Sequence, residues 1–110
     1  MHEIKAIIRP DRLQAVIDAL HAIPDLPGVT VSTVTGYGRR QPPRAPGEIE
    51  YGHVVMTKLE VVVPEAMLAR ALEQIRTAAA TGHPGDGKVF VYGVQQAFKI
   101  RSTDEGVDAL

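Results

Sequence analysis

The sequence predicts an α+β fold, an antiparallel sheet with two helices packed on one face. Three observations carry that prediction. Short β-branched or alternating runs flank two segments with helical periodicity. Each helical segment opens at a proline that directly follows a strand, in "IKAIIRPDRL" and in "LEVVVPEAML". The resulting order, strand-helix-strand met twice, is the split βαβ plan. The order of elements recurs; no residue-level repeat is implied.

Taken along the chain, "IKAII" places Ile4, Ala6 and Ile8 on one face and Ile7 on the other, a strand buried largely on one side. Pro10 ends it and suits the first turn of a helix, with Asp11 beside the positive end of the helix dipole. Leu13, Val16, Ile17 and Leu20 then form an amphipathic stripe, which Pro24, Pro27 and Gly28 stop. "VTVSTVTGYG" is rich in β-branched residues and reads as a second strand. "RRQPPRAPGEIE" has no periodicity and reads as a mobile loop, here bounded at residues 39–56. "KLEVVVP" is a third strand with Leu59, Val61 and Val63 on one side. Pro64 opens a second helix with a stripe of Leu68, Ala71, Leu72, Ile75 and Ala79, and Gly82 is its expected C-cap. "KVFVYGV" is a fourth strand, "AFKIRS" a short fifth, and the acidic tail a frayed C-terminal extension. Strand and helix order together give a ferredoxin-like βαββαβ domain over residues 1–110. The sheet face opposite the helices would lie bare in a monomer, so a second subunit is expected to cover it.

Composition narrows the function. With 110 residues, the chain suits one compact domain. A hydrophobic fraction of 45% supports a packed core. The formal net charge of -1 argues against nucleic acid or an anionic membrane as a general partner. The absence of cysteine excludes a disulfide scaffold and a thiolate zinc site. The charged start "MHEIKAIIRP" is no signal peptide, and no apolar run approaches the ~20 residues of a membrane span. A cytoplasmic protein is expected.

Three segments carry cationic or glycine-rich chemistry. "TGHPGDGKVFVY" inverts the order of a P-loop: helix, glycine loop, strand. Gly82, Gly85 and Gly87 let backbone N–H groups approach an anion, and Lys88 adds a point charge; the plain alternative is a helix-to-strand turn that needs glycine for its geometry. "GYGRR" sets Gly36 and Gly38 around Tyr37 ahead of Arg39 and Arg40, or is simply a strand running into a basic loop. In "FKIRS", strand alternation puts Lys99 and Arg101 on one face, about 7 Å apart. They could grip an anion or merely guard a sheet edge. Together the three favour an anionic ligand. His2, His21, His53 and His83 have no metal-ligand spacing, no nucleophile motif is present, and Asp86 between glycines suits a turn. Nothing here argues for catalysis.

These same segments, "IKAIIRP", "GVTVSTVTGYGR", "KLEVVVP", "TGHPGDGKVFVY" and "FKIRS", resemble in order the PII signal-transduction proteins. The resemblance covers all but the loop between Arg39 and Met56. It implies a ferredoxin-like homotrimer that binds ADP, ATP or AMP in the clefts between subunits. Gly85, Asp86, Gly87, Lys88 and Arg39 would form its phosphate side, with Gly36 and Gly38 lining the cleft. Thr30, Glu60 and Val62 would surround the adenine. Lys99 and Arg101 would reach in from the neighbouring subunit, although the family more often has arginine in place of Lys99.

The departures point to a variant branch. In the nitrogen-sensing members a glutamine follows the corresponding arginine and helps bind magnesium and 2-oxoglutarate; here that place holds Arg40, with Gln41 adjacent. Those members keep a lysine where Met56 stands. Their modifiable T-loop tyrosine is only partly echoed by Tyr51. Variant branches occur beside metal-efflux or inorganic-carbon genes, and one kind responds to bicarbonate with ADP or AMP. The reading is a non-enzymatic regulator whose T-loop docks on a target protein, a transporter or an enzyme. The alternatives are a classical 2-oxoglutarate sensor, or a small enzyme acting on a phosphorylated metabolite with Asp86 or Glu60 as base.

Overall fold

A computed structural model describes residues 1–39, 47 and 51–110. Strand β1 (His2–Ile8) leads through a 3-10 turn, Pro10–Arg12, into helix α1 (Leu13–His21). Strands β2 (Thr30–Arg39) and β3 (Tyr51–Val63) form a hairpin, helix α2 (Glu65–Ala79) follows, and β4 (Gly87–Gly93) completes the sheet. The strand order is β2-β3-β1-β4, antiparallel throughout. This is the expected ferredoxin-like arrangement.

The core forms where the alternation predicts it. Ile4, Ala6 and Ile8 of β1 face Leu59, Val61 and Val63 of β3, and all six are buried. Val16 and Leu20 of α1 and Ala71, Ile75 and Ala79 of α2 close over them. Removing these apolar faces from water is the main term holding the layers together. Arg12 also ties the helices, its Nε and one terminal nitrogen donating to the Ala78 carbonyl at 3.0 and 2.6 Å. That carbonyl lies in the last turn of α2, where the helix itself leaves acceptors unpaired.

The opposite face has no helix. Lys5, Phe90 and Tyr92 stand on it, with the Lys5 ammonium 4.9 Å from the centre of the Tyr92 ring. The helices also fail to reach the outer strand, so every residue of β2 except Val34 is exposed, including Val31.

Four details differ from the sequence reading. Residues 51–56, expected in the loop, are strand: β3 pairs with β2 out to Arg39↔Tyr51. "HVVMT" lacks alternation, but its β-branched residues complete a two-stranded arm once β2 lies beside them. The remainder of that loop, including Arg40 and Gln41, lies outside the described residues. The expected fifth strand is not formed. Phe98 makes a single bridge to Glu105, and the Lys99 N–H donates to the Asp104 carbonyl at 3.0 Å. The segment thus closes on itself as a small hairpin, and Lys99 and Arg101 do not share a strand face. Gly82 is not the C-cap of α2; Ala80 takes that place in extended conformation, and Gly82 sits inside the next loop at φ 83°. The tail is ordered into a 3-10 turn, Gly106–Ala109, rather than frayed.

Candidate functional site

The loop between α2 and β4 is organised around one carboxylate. Asp86 accepts hydrogen bonds from the Arg9 Nε at 2.8 Å, the Thr81 N–H at 2.8 Å and the Gly82 N–H at 3.0 Å, and from the Thr81 hydroxyl. These donors, the Thr81 hydroxyl first and the Arg9 guanidinium next, hold its carboxyl well below the usual range. An Asp so engaged is no general base. Arg9 makes a second bond to the Pro84 carbonyl at 2.6 Å. The sequence reading missed Arg9 and Thr81 entirely. Only a cation beside a proline and an aspartate between glycines hinted at the pair, which is 77 residues apart in the chain.

Gly87 then enters the sheet opposite Ile8 with φ 100°, and a Cβ there would lie 1.7 Å from the Ile7 carbonyl oxygen. Glycine is thus obligatory at Gly87 for packing alone, as the plain alternative held. The loop nevertheless lines an open cleft of about 900 Å³. Gly85, Gly87, Lys88 and His83 stand on one side of it, and Val54, Val55 and Met56 of β3 on the other. Met56 is buried, so a thioether takes part of the wall of this cleft.

Thr30, Glu60 and Val62 come together elsewhere. Thr30 pairs with Glu60 across β2 and β3, and all three line a second cleft of about 520 Å³ that shares no residue with the first. Ala109 and Leu110 line it too, an outcome of the ordered tail that composition gave no sign of. Glu3 projects into the same cleft. A hydrogen bond between the two carboxyl groups raises Glu3 and lowers Glu60; burial and the Glu60 charge raise Glu3 further. Lys58, 3.4 Å from the Glu60 Oε1, also favours the charged form of Glu60. Glu60 is therefore a paired anion rather than a free base.

The remaining site candidates are spread out. Gly36, Gly38 and Arg39 continue along β2 opposite Val54, Gly52 and Tyr51. A Cβ on Gly38 would meet nothing within 4 Å, so the protomer gives no steric reason for glycine there. Lys99 and Arg101 stand exposed on the C-terminal hairpin, near the fully exposed Ile100. Among the described residues no cluster of His, Cys, Asp and Glu could hold a metal ion, and no helix is long and apolar enough to cross a membrane. Within one protomer the candidates form a glycine-rich cleft, lined by Arg9 and Lys88 and by Asp11 and Asp86, and a smaller cleft lined by Glu3 and Glu60.

The fold is that of a small ferredoxin-like α+β domain with two open clefts. Comparison with known proteins names the family. The family model for nitrogen regulatory protein P-II matches residues 1–104. The chain is 41% identical to the nitrogen regulatory protein P-II of Rhodospirillum rubrum and 39% identical to that of Azospirillum brasilense, each over the full length of both chains. The Bacillus subtilis GlnK–ATP complex superposes with a TM-score of 0.86 at 29% identity, over 99% of this chain and 96% of that one. Arabidopsis thaliana PII bound to citrate gives 0.81 at 34% identity, over 99% and 91%. The chain belongs to the P-II family, whose members are signal-transduction regulators and not enzymes.

Proposed function

We propose that this protein binds an adenine nucleotide in clefts between the subunits of a homotrimer and signals to a target protein through the loop joining β2 and β3. The observation that carries the reading is the split of the site. Gly85, Gly87 and Lys88 line one cleft, and Thr30, Glu60 and Val62 another, with no residue in common. A protomer that supplies the phosphate side and a neighbour that supplies the base side would let one nucleotide touch both groups. The bare sheet face and the unpacked β2 give subunits a surface to share. The exposed hairpin offers Lys99 and Arg101 to a neighbour, and the unconstrained Gly38 leaves room for a ligand's close approach. The solved B. subtilis relative holds ATP, which supports the same ligand class here.

Met56 shapes the effector reading. A buried thioether in the wall of the phosphate-side cleft offers no charge to a dicarboxylate, so 2-oxoglutarate has lost a partner there. The basic pair Arg39 and Arg40 suits a smaller anion such as bicarbonate, which would couple its binding to the T-loop. Calorimetric titration with ADP, ATP and AMP, each with and without 2-oxoglutarate and bicarbonate, tests both parts. Nucleotide binding at micromolar concentration is expected, with no added response to 2-oxoglutarate. Tight Mg-ATP-dependent 2-oxoglutarate binding would restore the classical sensor, and no binding of any nucleotide would remove the reading.

A further inference from the structure

The phosphate-side loop contains a negative charge where a negative ligand is to sit. Asp86 lies between Gly85 and Gly87 and directly precedes Lys88, so an Asp86 carboxylate facing the cleft would repel a phosphate and compete for the Lys88 ammonium. Asp86 and Arg9 both line this cleft, but the structure engages the carboxylate within the loop. Its oxygens face the Thr81 hydroxyl, the Thr81 and Gly82 N–H groups and the Arg9 guanidinium. Arg9 spans the loop, holding the carboxylate through Nε and the Pro84 carbonyl through a terminal nitrogen. A planar guanidinium can make both bonds at once, and no other cation reproduces that fork. Arg9 is itself fixed at the end of β1 by Pro10, which locks the chain as it enters the 3-10 turn.

We propose that Arg9 is a positioning residue for the nucleotide site: it holds the Asp86 carboxylate out of the ligand's path, so that Gly85, Gly87 and Lys88 face the phosphates. Arg9 lines the same cleft, and the role assigned to it is exerted through Asp86. The inference rests on the nucleotide reading given above.

A double-mutant cycle tests it. The parent, Arg9→Ala, Asp86→Asn and the double variant are titrated with ADP at neutral pH, and the unfolding midpoint of each is recorded. Arg9→Ala is expected to weaken ADP binding about tenfold. The double variant is expected to bind at least fivefold more tightly than Arg9→Ala, because the freed side chain no longer carries a charge. A purely structural role for Arg9, or a direct bond from Arg9 to phosphate, predicts no such rescue, and its absence overturns the proposal. So does an Arg9→Ala protein that binds like the parent. If Arg9→Ala does not fold, Arg9→Gln replaces it in the same cycle; it keeps a donor for the Pro84 carbonyl but removes the charge, and the same rescue is required. A parent that fails to bind ADP overturns the nucleotide reading itself, and this inference with it, whereas a parent that binds and shows no rescue overturns the inference alone.

Discussion

At the scale of single residues, two glycines make opposite demands. Gly87 has φ 100° and no space for a side chain against the Ile7 carbonyl. Gly87→Ala should therefore destabilise the fold by at least about 2 kcal/mol, from backbone strain and forced displacement of β1. Gly38 has open space around it, so Gly38→Ala should leave the denaturation midpoint unchanged or slightly raised while weakening nucleotide binding. Equal loss of stability in both variants would show that Gly38 is only structural. Asp86 sets the acid limit of its loop. Its folded pKa is depressed, so the stability it contributes is complete above the ordinary Asp value of ~4 and drains away as pH falls below it. Acid unfolding followed by circular dichroism should begin at higher pH in the parent than in Asp86→Asn, once each is normalised to its own neutral-pH stability. The glycines and the lysine were legible as a loop between a helix and a strand. That Asp86 is tied to Arg9 was not, because nothing in a sequence pairs residues 77 apart.

At the scale of elements, periodicity located both helices and strands β1 and β3, since burial on one side writes itself directly into spacing, while β2 was legible from its β-branched residues. Ile75, fully buried between α2 and the sheet, tests the helix stripe. Ile75→Ala should cost about 2–5 kcal/mol, read as a lower denaturant midpoint at fixed protein concentration. The fifth strand failed for a local reason: Asp104 and Glu105 offered "AFKIRS" partners within its own hairpin, and a strand needs a neighbour that local bonding can pre-empt. Its cations are exposed, with the Lys99 ammonium 4.0 Å from an Asp104 carboxylate oxygen. Arg101→Ala should therefore keep the parental unfolding midpoint yet weaken ADP binding about tenfold, the effect of losing a charge-assisted bond worth roughly 1.5–3 kcal/mol. Lys88→Ala should match it in binding. Parental affinity in both variants would reduce these segments to a turn and a solvated hairpin.

At the scale of the whole molecule, the sheet is covered on one side and exposed on the other, with Phe90 and Tyr92 on the open face. A chain of 11.9 kDa with that much unpacked sheet gains by association. Light scattering should give about three times the protomer mass at micromolar concentration. A monomer under those conditions would remove the trimer and the shared site together, because the two clefts share no lining residue within one chain.

The sequence by itself determined the layers of this protein, the order of its elements, its core face and its family, because each of these is encoded by short-range periodicity or by motifs a few residues long. Tertiary structure decided which residues meet. It placed Arg9 on Asp86 and Met56 in the wall of the phosphate-side cleft, brought the C-terminal turn against Glu60, and extended β3 to Tyr51. Each of those outcomes depends on a partner distant in the chain. Hydrogen bonds and burial select such partners only after the sheet has assembled, and the spacing of residues along the chain carries no record of the choice.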